Sequence, residues 1–115
     1  MLPAKFRLKD KKEFASVFRR GKVSSNDVLI MKYSPAGPDQ LKIGFSAGSK
    51  LSKKSSERNK AKRWMREAVR LIIGRVKPGH KIIFSINSKF PYKQMDYTLV
   101  QEKIRDLLQE ARLFK

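Results

Sequence analysis

The chain has 115 residues, 40% of them hydrophobic, with 28 lysines and arginines against 10 acids and a formal net charge of +18. One domain over residues 1–115 with a real core fits that size, a disordered basic tail is excluded, and so much like charge makes a polyanion the natural partner. With no cysteine there is no disulfide, thiolate metal site or cysteine nucleophile, and no apolar run nears the roughly 20 residues of a membrane span, so a cytoplasmic protein without a membrane is expected.

The first predicted element is a short helix at "DKKEFASVFRRG", with Asp10 as its cap, Glu13 three residues on as in a capping box, and Gly21 at its end. A short strand at "KVSS" and a β-prone run from Val28 to Tyr33 come next. After the turn-rich "SPAGPDQ", the alternating "LKIGFSA" reads as a strand forming a hairpin with the one before it. A polar, basic loop over residues 48–55 leads into a helix that should run to about Ile73. "HKIIFSIN" is a further strand, "SKFPYKQM" a loop, and Asp96 can cap a last helix from Tyr97 to about Arg112. The order α-β-β-β-α-β-α is that of an α+β sandwich with helices on a small sheet. Positive charge is concentrated in residues 1–22, 50–70 and 75–115, whereas residues 23–49 hold only Lys32 and Lys42 against Asp27 and Asp39.

The central helix, "SERNKAKRWMREAVR", carries the clearest chemistry. At about 100° per residue, Ala61, Trp64, Met65, Ala68, Leu71 and Ile72 fall on one arc and face the sheet. Asn59, Lys62, Arg63, Arg66 and Arg70 share another arc that holds no acid. A solvated face normally mixes glutamate into such positions, because like charges four apart destabilise a helix by a few tenths of a kcal/mol each. A face that accepts this penalty is suited to phosphates. Asn59 adds a neutral donor and acceptor for sugar hydroxyls or base edges. Trp64 projects onto the apolar arc and reads as core. Glu67 reads as the partner that orients Arg63 or Arg70. The serines from Ser52 to Ser56 can cap the helix, and its first N–H groups can meet a phosphate.

Phe14 and Phe18 stand four apart and share a face of the first helix. Two readings remain open for them: core, or a platform for bases of a single strand, flanked by Lys11, Lys12, Arg19 and Arg20. Catalysis by this chain finds little support. His80 is the only histidine and lies in a turn, the acids are scattered, Asp106 and Glu110 balance neighbouring arginines, and no glycine-rich phosphate loop occurs.

"ERNKAKRWMREAVR" resembles the signature helix of the protein component of bacterial ribonuclease P, roughly R-N-R-x-K-R-x-x-R-E-x-x-R, through Arg58, Asn59, Lys62, Arg63, Arg66, Glu67 and Arg70. "KIGFSAGSK" is similar to that family's strand and loop ahead of the helix, and "FRLKDKKEFASVFRRGK" to its N-terminal segment. Lys60 stands where the family has a second arginine, which keeps the charge and loses the bidentate fork. The family's adjacent lysines after the third strand become Ser49 and Lys50.

The resemblance implies a two-layer sandwich with a small, mostly antiparallel sheet and a left-handed βαβ crossover, a ribosomal-protein-like fold that breaks the usual handedness. It implies an endoribonuclease subunit that carries no catalytic residue itself. A large RNA component holds most of the Mg²⁺ and hydrolyses precursor tRNA to free the mature 5′ end. Lys50, Lys53, Lys54, Arg58, Asn59, Lys60, Lys62, Arg63, Arg66 and Arg70 would contact that RNA. Phe14, Phe18 and Tyr33 would line a cleft for the single-stranded 5′ leader. The partners implied are the RNA component and precursor tRNA, with no obligatory protein partner. The rival readings are a ribosomal or other structured-RNA-binding protein and a self-sufficient nuclease.

Overall fold

Asp10 starts the first helix, α1 (Lys11–Arg20). In the computed structural model, which describes residues 2–48 and 51–115, its carboxylate accepts from the N–H groups of Lys12 at 2.8 Å and Glu13 at 3.2 Å. These are two of the donors that a helix start leaves unpaired. Glu13 does not close the capping box; its carboxylate accepts from Lys81 Nζ at 3.3 Å, far along the chain. Gly21 follows α1 because a Cβ there would stand 2.6 Å from the Val17 carbonyl oxygen.

The remaining elements are β1 (Lys22–Ser25), β2 (Leu29–Pro35), β3 (Leu41–Ser46), α2 (Ser55–Ile72), β4 (His80–Ile86) and α3 (Tyr97–Glu110). Their order is the expected one, but one pairing is not. The hairpin expected between β2 and β3 does not form, because β4 lies between them and the sheet runs β1-β2-β4-β3. β4 pairs antiparallel with β2 and parallel with β3, so α2 serves as the crossover of a βαβ unit. The cause lies in β4 itself. Ile82, Ile83 and Phe84 are successive residues on alternating faces and all are fully buried. Only an interior strand with cover on both sides can hide such a run.

Register then assigns every strand residue to a face. Leu29, Met31, Ile43, Ile82 and Phe84 point one way and join α2 and α3 in the main core. Helix α2 contributes Ala61, Met65, Ala68, Val69 and Ile72, and α3 contributes Val100, Ile104, Leu107 and Leu108. Its cap is Asp96, which accepts from Leu99 N–H at 2.8 Å. Sheet, α2 and α3 form the sandwich. Helix α1 crosses the opposite face over β2 and β4, where Leu8, Val17 and Ile83 make a second small core with Phe14 packed on it.

The inward arc of α2 is rotated from the one projected. Val69 is fully buried, whereas Leu71 is 53% exposed and Trp64 only partly buried. Among the described residues, no helix is long and apolar enough to cross a membrane.

Candidate nucleic-acid interface

Helix α2 begins without a side-chain cap: Lys54 holds the cap position and its side chain makes no capping bond. The expected serine cap is replaced by another device. Ser52 Oγ donates to Glu57 Oε1 at 2.6 Å and accepts from Lys54 N–H at 3.1 Å. Arg58 Nη1 donates to the Ser52 carbonyl at 2.8 Å. Arg58 therefore braces the loop before α2 while Lys53 and Lys54 remain exposed. Lys50, grouped with them in the sequence, lies outside the described residues.

Further along α2, Asn59, Lys60 and Arg63 are exposed, and Lys62 and Arg66 half-buried. Among the described residues, none of these five side chains makes a hydrogen bond or an ion pair with another protein group. The charge of the four cations among them is left for something outside the protein to neutralise. Arg70 differs from them. Its Nε donates to both oxygens of Glu67, at 3.1 and 3.0 Å, and Nη2 donates to the same carboxylate. That bond holds the Glu67 carboxyl below its usual range and raises Arg70 above its own. The basic arc therefore loses one free cation at its C-terminal end. In Glu67→Gln the charge of Arg70 is released, and the log K against log[salt] slope for RNA should steepen by about 0.7–0.9 unit. A salt titration checks this; an unchanged slope would mean Arg70 reaches no phosphate.

On the opposite face of the sheet, Phe14 and Phe18 stack with centroids 6.4 Å apart and planes inclined by 13°. The structure divides their roles. Phe14 is half-buried on Leu8, Val17 and Ile83. Phe18 is 41% exposed, with Lys32 Nζ 3.6 Å from its ring centroid. Gly44 allows the first placement, since a Cβ there would stand 2.8 Å from Phe14 Cε2. Two hollows flank the pair. One of about 300 Å³ is bordered by Phe18, Ile30, Lys32, Ser46 and Ser85. The other, of about 190 Å³, is bordered by Phe14, Arg7, Lys9, Gly44 and Arg66. Together they give an exposed ring, a cation over it and strand hydroxyls, the mixture that suits a single nucleic-acid strand.

Tyr33, grouped with Phe14 and Phe18 from the sequence, does not join them. It pairs with Ile82 and packs against the main core beneath α2 and α3, on the other side of the sheet. Strand alternation places its neighbour Lys32 in the cleft instead. Lys32, Ile30, Ser46 and Ser85 were missed in the sequence. The signal for Lys32 was its place as the only charge in "VLIMKY", which marks that parity as the less buried face.

Arg66 joins the two regions. It borders the hollow beside Phe14 and also a larger one, of about 590 Å³, on the outer side of α2. Among the described residues, no group of three or more histidine or acidic side chains converges. His80 sits at the start of β4, opposite Pro35 and Leu41, and not in a free turn.

A family model described as Ribonuclease P matches residues 2–112. The chain is 34% identical over 113 residues to the ribonuclease P protein component of Symbiobacterium thermophilum, covering 96% of this chain and 94% of that protein. The solved RNase P protein of Thermotoga maritima is similar at 29% identity with a TM-score of 0.78, covering 90% of this chain and 96% of the other. The Staphylococcus aureus RNase P protein shares the fold at 23% identity with a TM-score of 0.83, covering 96% and 98%.

Proposed function

Since the chain belongs to the family of ribonuclease P protein components, we propose that it is the RNA-binding subunit of a ribonucleoprotein that removes the 5′ leader from precursor tRNA. In this reading the RNA component carries the reactive groups and binds Mg²⁺, and the particle works in the cytoplasm. The observation that carries the proposal is the position of Arg66. It has no partner among the described residues and borders both the aromatic cleft on one face and the cationic surface of α2 on the other. A strand lying over Phe18 and Phe14 would thus be led directly to the helix that meets the RNA component.

The physical contribution is electrostatic. Two polyanions must approach closely, and each phosphate neutralised by Lys62, Arg63 or Arg66 releases condensed counterions. Those cations are held by a folded helix, so little reorganisation is needed when the substrate arrives. Asn59 can bond a sugar hydroxyl or base edge. In the cleft, Phe18 offers a ring to a leader base and Lys32 a charge to the adjacent phosphate, without regard to sequence. Mg²⁺ supplies nucleophile activation and charge stabilisation on the RNA. This chain's part toward the metal is indirect, by aligning the phosphates that bind it.

The test is incubation of precursor tRNA with the protein, with the RNA component, and with both. Rapid cleavage at low Mg²⁺ is expected only with both, and slow cleavage by the RNA alone at high Mg²⁺. Cleavage by the protein alone would make it a nuclease in its own right. RNA binding with no effect on cleavage would return it to the structured-RNA-binding class.

Phe18→Ala separates the cleft from the helix. Leader-bearing substrate should bind roughly five- to a hundredfold more weakly, as for one lost stacking contact, while mature tRNA is little affected. Because Phe18 is substantially exposed, the melting temperature should hardly change. An equal loss for both RNAs would remove Phe18 from leader binding.

A further inference from the structure

Trp64 is the only tryptophan in the chain, and it is used in an unusual way. One part of it packs against the main core. Another stacks on Tyr92, with centroids 6.0 Å apart and planes inclined by 14°, and Lys60 Nζ stands 5.5 Å from its ring centroid. Beside it opens the hollow of about 590 Å³ on the outer side of α2, lined by Lys60, Arg63, Trp64, Arg66, Glu67 and Tyr97. That volume falls within the range of sites that take small organic groups. Tyr97 adds a second aromatic ring to its wall.

These features select one kind of occupant. Phosphate contacts alone need no aromatic wall, and a purely structural tryptophan needs no cations around it. The one acid at the rim, Glu67, is already engaged by Arg70. An apolar peptide would therefore leave Lys60, Arg63 and Arg66 desolvated and unpaired. A nucleotide satisfies both requirements: phosphates for the arginines and a π face for Trp64.

We propose that this hollow receives one unpaired nucleobase of the RNA held by α2, stacked on Trp64 with its phosphates on Arg63 and Arg66. The site is distinct from the aromatic cleft, since Phe14 and Phe18 stand on the other face of the sheet. It rests on the reading of α2 as an RNA-binding helix and gives that helix a base contact in addition to its phosphate contacts.

Trp64 emission reports on the hollow without labelling the protein. The probes are an end-labelled single-stranded oligoadenylate of about ten nucleotides and an abasic ribose-phosphate chain of equal length, titrated into the full chain at fixed salt. Anisotropy of the end label reports binding, and tryptophan fluorescence reports the base. The oligoadenylate should quench Trp64 and bind on the order of tenfold more tightly than the abasic chain; the abasic chain should bind and leave the emission unmoved. In Trp64→Leu built on Phe18→Ala, with the far-ultraviolet dichroism preserved, the advantage of the base-bearing oligomer should shrink toward one relative to Phe18→Ala alone, and abasic binding should persist. A bound oligoadenylate that leaves the emission where the abasic chain leaves it overturns the proposal and spares phosphate binding by α2. If neither oligomer raises the anisotropy, the RNA-binding reading itself falls, and the nucleobase site with it.

Discussion

Arg66→Ala should weaken binding of the RNA component by roughly ten- to a hundredfold, the range of about 1.5–3 kcal/mol for a lost hydrogen bond to a charged group. Its log K against log[salt] slope should flatten by about 0.7–0.9 unit. The expectation follows from three properties of the residue. It is half-buried and therefore positioned, it has no protein partner among the described residues, and it borders the hollows on both sides of α2. Cleavage by the reconstituted particle should fall most at low Mg²⁺ and recover as Mg²⁺ rises, because added cations can replace a missing one. The fold should survive, since no ion pair or hydrogen bond is broken. Filter binding at several salt concentrations measures both quantities, and an unchanged slope would place Arg66 away from phosphate.

Phe84→Ala should produce the largest loss of stability. Phe84 is fully buried on the central strand β4 and stacks on Phe45, with centroids 6.3 Å apart and planes inclined by 18°. It lies where α2 and α3 close over the sheet. Truncating such a ring costs about 3–5 kcal/mol through lost transfer energy and the cavity left behind. Against a whole-domain stability of about 5–15 kcal/mol, that leaves little margin. The melting temperature should drop by roughly 10–30 °C, as calorimetry or dichroism would show. Added salt should raise the melting temperature of both proteins by screening the repulsion within a +18 chain. A drop of only a few degrees would mean that the core relaxes around the gap.

Several parts of this molecule were legible because they are local. Asp10 and Asp96 bond N–H groups two or three residues away, so their capping role needs nothing from the rest of the chain. The separation of Asn59, Lys62, Arg63 and Arg66 from Met65 and Ile72 is set by a repeat of 3.6 residues. The pairing of Glu67 with Arg70 is likewise a contact between successive helical turns. Net charge depends on no conformation at all, and it already pointed to a polyanion.

What the sequence by itself determined, then, was the kind of partner, the helices, the Asp10 and Asp96 caps, the basic arc and the family resemblance. Only the tertiary structure decided that β4 enters between β2 and β3, that Tyr33 faces α2 and α3 while Lys32 faces the cleft, and that Leu71 stays exposed. It also decided that Arg58 braces a loop and that Trp64 lies half out of the core. The physical reason is range. A strand's partner is chosen by apolar surface some 50 residues away (Met31 lies opposite Phe84), and with a period of two a single step in register moves every side chain to the other face. Helical turns settle their geometry among near neighbours, whereas a sheet settles its geometry only when the whole chain has folded.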